Sequence, residues 1–338
     1  MAGAPSVRAV LMGDPAHFSV RGGANPHTRN VLGMRKRVSR ERAVAQWHAL
    51  ARVLIQLGVR VFVIPPHPAC PGLVYPANAG FSPILREAPP ERRPYVISNL
   101  IASRAAEAPI YHEFLHALGF DPCRVRYRFE GEADFFPAGD FYLLTTGCIE
   151  QQRFVPRLGL PPWRRIYGFR TEAAAEEELV ARVAPRPVIT LELVDERYYH
   201  GDTLLSSFGA RRQYLLAYLE GLSNISRAIL EAHFGDHLLR LARADAEVYA
   251  ANSFAVTSGA THYLVMPAGV SNALGDAVAA RGVTPVVVEV SEFLKKGGGS
   301  VKCMIGDLGE ITDDASELSP DVIRFRRARD YRTLFPLD

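Results

Sequence analysis

THYLVMPAGVSNALGDAVAARGVTPVVVEV, residues 261–290, carries the unit from which the rest of the chain is read. An apolar run rich in β-formers, THYLVMP, closes at Pro267. An amphipathic stretch over 272–281 follows, and after Gly282 comes a second β-rich run, TPVVVEV from Thr284. Alternation within a short run bounded by Gly and Pro predicts a strand, and apolar residues on one helical face predict a helix. Outward from this unit the same elements recur. Strands are expected at VRAVLM from Val7, VRVFVIP from Val59, CRVRYRF from Cys123, VITLEL from Val188 and QYLLAY from Gln213. Helices are expected over 39–57, 101–118 and 171–183. Strands plus one helix, several times over, suit an α/β array, either a doubly wound sheet or a ring of repeats. Residues 148–166, with Pro156, Pro161 and Pro162, break the rhythm and read as a surface insertion. No long flexible linker divides the chain, so residues 1–338 are expected to form a single domain.

Composition limits the function. The 338 residues are 48% hydrophobic and 22% charged, enough to bury a large core. A net charge of +3, from 39 basic and 36 acidic residues dispersed along the chain, argues against nucleic acid or an anionic membrane as partner and for a small molecule. No apolar run approaches the ~18 residues of a membrane helix, and the first residues lack a signal-peptide pattern. A soluble cytoplasmic protein is expected, with homo-oligomerisation left open. Four widely spaced cysteines, Cys70, Cys123, Cys148 and Cys303, match neither a disulfide framework nor a zinc ribbon and read as free thiols.

Four short stretches carry chemistry. HEFLH, 112–116, has the spacing of a zinc-peptidase helix, but the extended pattern would need a third ligand at position 122, which is Pro122. The surrounding APIYHEFLHALGF also reads as an amphipathic helix with Ile110, Phe114, Leu115 and Leu118 inward. FEGEADFFPAGD, 129–140, puts Glu130, Glu132 and Asp134 at alternate positions, either as a solvated hairpin end or as a carboxylate cluster needing a cation. RYYHGDT, 197–203, follows the strand VITLEL and offers His200 and Asp202, an acid/base group beside a cation-binding carboxylate. KKGGGSVKCM, 295–304, sets Cys303 after three glycines, where backbone N–H groups and Lys302 could favour a thiolate; a plain flexible loop is the other reading.

In this order, together with MGDPAHFSV from Met12, YPANAGF from Tyr75, SRAAE from Ser103, GFRT from Gly168 and AANS from Ala250, the sequence resembles the guanidino-group modifying superfamily. That superfamily holds arginine deiminases, dimethylarginine dimethylaminohydrolases, amidinotransferases and arginine dihydrolases. The resemblance implies a five-bladed α/β propeller, the pentein fold of ββαβ repeats, with no cofactor and no metal. It implies Cys303 as nucleophile, His200 as acid/base and Glu130 as its acidic partner. Asp202, Asn78, Arg170 and Arg104 are implied as substrate-binding residues, with the two arginines toward the α-carboxylate. Asn78 stands where deiminases carry an aspartate, which is the arginine dihydrolase pattern. The expected reaction is hydrolysis of arginine or a derivative through an amidino thioether on Cys303, giving ornithine or citrulline and ammonia. An amidinotransferase or a dimethylarginine dimethylaminohydrolase is the alternative, and a zinc hydrolase using His112 and His116 the competitor from another class.

Overall fold

The computed structural model describes residues 6–20, 25–28, 34, 36–83, 93–150, 153–157, 160–312 and 318–336. Five three-stranded sheets share one design: a central strand pairs antiparallel with one neighbour and parallel with the other. The central strands are Val7–Gly13, Arg93–Ile97, Phe141–Thr146, Tyr214–Ala217 and Thr261–Pro267. Their parallel partners are Arg60–Ile64, Phe120–Arg124, Val188–Glu192, Leu238–Arg240 and Val283–Val288. A tight turn cannot join parallel strands, so each pair is bridged by a helix. These helices are Arg40–Gln56, Glu107–Ala117, Ala175–Val183, Asn224–Phe234 and Asn272–Ala279. The antiparallel partners are Gly306–Ile311, Gly80–Phe81, Phe135–Ala138, Leu205–Phe208 and Phe254–Ser258. In four sheets this partner directly precedes the central strand. In the first it comes from the far end of the sequence, with Val7 opposite Ile311. The doubly wound alternative is thereby overturned, since no sheet among the described residues exceeds three strands.

Local chemistry explains the elements. Ser39 caps Arg40–Gln56 by accepting from the Arg42 N–H, and the helix buries Ala43, Trp47, Leu50, Ala51, Leu54 and Ile55, one apolar face. Ser271 caps Asn272–Ala279, whose Leu274 and Val278 are buried one turn apart. Three expectations shift. The helix expected over 101–118 begins at Glu107, because 101–106 is spent on turns that place Arg104. The helix expected over 171–183 begins at Ala175. The strand expected from Cys123 is Phe120–Arg124, an edge strand, where the missing N–H of Pro122 is tolerated.

Arg153–Arg157 and Leu160–Ile166 form an antiparallel two-stranded sheet within the stretch read as an insertion; residues 151, 152, 158 and 159 and the side chains of 154–165 lie outside the described residues. Among the described residues no helix is long and apolar enough to cross a membrane.

Candidate active site

Each repeat delivers side chains at one place, the short turn just ahead of its antiparallel strand. Asn78 lies on the turn Pro76–Ala79 before Gly80–Phe81, and Glu130 immediately precedes the turn Gly131–Ala133 before Phe135–Ala138. His200 precedes and Asp202 lies within Gly201–Thr203 before Leu205–Phe208, and Cys303 rides Lys302–Met304 before Gly306–Ile311. Close backbone approach makes this convergence possible. Gly131, at φ +67°, would put a Cβ 2.6 Å from the Ala77 carbonyl oxygen, so only glycine lets the second and third turns meet. The result is a cavity of about 180 Å³ lined by Asn78, Arg104, Glu130, Arg170, His200 and Cys303 among others.

Glu130 and His200 are both buried, with Glu130 Oε2 2.8 Å from His200 Nε2. Glu130 Oε1 accepts from the Ile101 N–H at 3.1 Å. Burial alone would raise the Glu130 carboxyl, but the hydrogen bond and charge of His200, with Arg170 and Arg104, hold it at about 2. Glu130 is therefore a fixed anion that orients the imidazole. Among the described residues no hydrogen bond joins His200 to Cys303, though both line one cavity.

Cys303 is buried, and its Sγ lies 3.3 Å from Asp202 Oδ2, to which the thiol donates. The Asn252 side-chain amide donates to the same sulfur at 3.1 Å. Burial, and then the Asp202 carboxylate, push the Cys303 thiol well above its ordinary range, while N–H groups of Ser300 and Asn252 oppose them. Burial also drives Asp202 up to about 6, against the charges of His200 and Lys302. The resting pair is a thiol against a carboxylate. The expectation that Lys302 favours the thiolate is overturned: its Nζ turns away to Glu132 Oε2 at 2.6 Å and the Ile305 carbonyl at 3.1 Å. The backbone half of that expectation stands with Ser300. The glycine run is no slack loop either, since a Cβ on Gly299 would fall 2.5 Å from the Tyr75 ring.

Arg104 makes a bidentate pair with Glu107, at 3.0 and 2.7 Å, and its Nη1 donates to Asn78 Oδ1 at 2.7 Å. Asn78 consequently turns its Nδ2 toward the Glu130 carbonyl and His200, at 3.4 and 3.5 Å. Arg170 is buried, donates to the Tyr167 and Gly168 carbonyls and lies over the Tyr199 ring at 5.1 Å. Asp202 lies behind the sulfur and lines a second, smaller cavity instead of the first.

The three acids of FEGEAD part company at the turn. Glu130 faces the cavity, Glu132 binds Lys302, and Asp134 accepts from the Thr145 and Thr171 hydroxyls and the Gly201 N–H. All three are buried, which overturns the solvated-hairpin reading. Asp134 thus ties the His200 turn to the Glu130 turn. His112 is half-buried and His116 exposed on their helix, away from the cavity, and Phe114, Leu115 and Leu118 face inward as expected.

No family model matches the chain. It is 33% identical, over 88% of its own length and 85% of the relative's, to an N(G),N(G)-dimethylarginine dimethylaminohydrolase of Mycobacterium tuberculosis. The chain belongs to the guanidino-group modifying enzymes. Within that superfamily it lies near the arginine dihydrolase branch: it is 29% identical over 87% of its length to the bifunctional arginine dihydrolase/ornithine cyclodeaminase AgrE of Nostoc, of which it spans 37%. The product-bound N-terminal domain of ArgZ, an arginine dihydrolase of cyanobacteria, superposes with a TM-score of 0.73 at 25% identity, covering 89% of this chain and 97% of that domain.

Sequence reasoning missed several residues that build this cavity and the turns around it. Asn252 grips the Cys303 segment, and Asn25 ties Tyr199 to the glycine run through the Tyr199 hydroxyl at 3.2 Å and the Gly297 carbonyl at 2.9 Å. Glu107 anchors Arg104. Asn252 was within reach, because AANS precedes a strand at the same relative place as Asn78; an uncharged amide carries no other signal.

Proposed function

We propose that this chain hydrolyses the guanidinium group of L-arginine through a covalent Cys303 intermediate and carries the reaction to ornithine, with the five sheets forming the blades of one closed propeller around the site. The observation that carries the reading is the pairing within one cavity of a buried thiol, backed by Asp202, with a buried Glu130–His200 couple. An arginine side chain is a planar cation that never loses its charge, so it brings what the site lacks. Its arrival beside Cys303 stabilises the thiolate, with Asp202 adding a second anion behind the sulfur. Arg170 meets the substrate α-carboxylate, and Arg104 adds charge while holding Asn78.

The Cys303 thiolate adds to the guanidinium carbon, forming a C–S bond. His200 protonates the departing nitrogen, the C–N bond breaks, and ammonia leaves an amidino thioether. His200, oriented by Glu130, then takes a proton from water, whose oxygen adds to the carbon; the C–S bond breaks to give the ureido product, citrulline, and the free cysteine. A second round on the ureido carbon releases the second ammonia, and hydrolysis of the carbamoyl thioester yields carbamate, hence carbon dioxide, and ornithine. Asn78 supports this second round. Its oxygen is held by Arg104, so it offers the cavity an N–H, which a neutral ureido oxygen can accept and a carboxylate at that place could not supply.

Incubation with arginine, with citrulline, ornithine and ammonia assayed together, tests the reading. Two ammonia per ornithine is expected, and Asn78→Asp should divert the product toward citrulline. Citrulline alone from the parent enzyme overturns the double hydrolysis, and transfer to added glycine in preference to water favours the amidinotransferase instead.

A further inference from the structure

Four of the five repeats supply the turn residues already assigned. The fifth supplies Asn252, directly before the strand Phe254–Ser258, at the place equivalent to Asn78, Glu130, Asp202 and Cys303. Its side chain is fully buried and joins two segments that lie 50 and 51 residues from it in the sequence. Nδ2 donates to Cys303 Sγ at 3.1 Å and to the Asp202 carbonyl at 3.1 Å. Oδ1 accepts the Cys303 backbone N–H at 3.0 Å, and the Asn252 carbonyl accepts the Lys302 N–H at 3.1 Å. The turn that presents it carries Tyr249 at φ +57°, a left-handed conformation an aromatic residue rarely adopts, held by the Tyr249 hydroxyl donating to the Arg197 carbonyl at 2.7 Å.

We infer that Asn252 is the positioning residue of the nucleophile: its amide fixes the Cys303 sulfur and supplies the N–H that holds the sulfur when it becomes an anion. The inference rests on Cys303 being the nucleophile and deepens that reading. The sulfur has two side-chain neighbours of opposite character. Toward Asp202 the thiol donates, and on deprotonation that contact turns repulsive. Toward Asn252 the sulfur accepts, and on deprotonation that bond becomes charge-assisted and stronger. With Lys302 committed to Glu132, Asn252 is the side chain that gains as the thiolate forms. An amide serves here because its second arm, Oδ1, fixes the backbone of the same cysteine, so sulfur and main chain are aimed together. A plain scaffold role would need only the Oδ1 and carbonyl contacts.

Asn252→Asp keeps the shape and the acceptor for the Cys303 N–H while replacing the donor with a charge. The readouts are the pH profile of Cys303 alkylation by iodoacetamide, followed by intact mass, and the split between kcat and KM for arginine. The alkylation midpoint should move up by about one pH unit or more, and kcat should fall about 10- to 100-fold with KM changed less than about threefold. Asn252→Ser, which retains a hydroxyl donor, should fall between parent and Asn252→Asp on both measures, and it carries the test alone should Asn252→Asp not fold. Alkylation profiles and kcat matching the parent in the folded variant overturn the inference. Failure of the underlying reading looks different: Cys303→Ala retains turnover whatever Asn252 does.

Discussion

The turns that build the cavity also build a second polar cluster behind it, from neighbouring residues of the same segments. Lys302 adjoins Cys303, and Glu132 lies two residues from Glu130, yet both point away from the cavity and pair at 2.6 Å. Asp307 joins them, its N–H donating to Glu132 Oε2 at 3.0 Å and its carboxylate pairing with Arg8 and with Arg212, the latter at 3.2 Å. Burial would raise Asp307, but Arg8, Arg212 and Lys302 hold it below its ordinary range. In the rear cluster every carboxylate has a cation. Asp202, directly behind the sulfur, has only a thiol on Oδ2 and no partner for the buried Oδ1. The difference separates a scaffold from a site. A closed set of charges asks for nothing more, whereas a buried anion beside a protonated thiol leaves a charge that a cation can complete.

The contrast can be broken from either side. The largest effect is expected at the front: Cys303→Ala should lower kcat by about 10⁴-fold or more while thermal unfolding stays near that of the parent, measured by ornithine release and calorimetry. At the rear, Lys302→Met leaves Glu132 buried without its cation and should destabilise the fold by about 3 kcal/mol in denaturant titration at pH 8. Burial raises Glu132, so the loss should shrink at pH 5 as the carboxyl takes up a proton, and Lys302→Met combined with Glu132→Gln should recover most of it.

A smaller effect of opposite sign separates Asp202 from Asp307. The Asp202 carboxyl titrates near 6 in the fold and near 3.8 when unfolded, so the folded state holds its proton more tightly. Keeping Asp202 ionised therefore weakens the fold above pH 6, and the penalty disappears below about pH 4. Asp202→Asn should stabilise the substrate-free protein by on the order of 2 kcal/mol at pH 8 and hardly at all at pH 4, while impairing turnover. Equal gains at both pH values would show that the Asp202 charge is not what costs stability.

Much of this was legible in the chain. Arg93–Ile97, Phe141–Thr146 and Leu238–Arg240 were not singled out, but the other central and parallel strands announced themselves as apolar runs, as with VRAVLM and VITLEL. Their antiparallel partners did not, because Gly80–Phe81 is two residues long and Gly306–Ile311 contains Asp307, Gly309 and Glu310. Those strands are specified by what they dock against more than by their own periodicity. Of the site, the residues that titrate stood out: Cys303, His200, Glu130 and Asp202. The direction of each side chain did not, since Lys302 and Glu132 turn rearward for reasons of long-range pairing that no local spacing encodes. Arg104 and Asn78 appeared as two separate substrate contacts, and only their 2.7 Å bond shows that one orients the other.

The pairing of Val7–Gly13 with Gly306–Ile311 sets the order in which a nascent chain acquires its chemistry. Four sheets can assemble from neighbouring stretches as they leave the ribosome, but the first waits for a strand made nearly three hundred residues later, and Cys303 arrives with that strand. Closing so long a loop is slow compared with local pairing. The thiol therefore meets Asn252, Asp202 and the cavity after the four local sheets can form, and a chain stopped before residue 303 holds the Glu130–His200 couple without it.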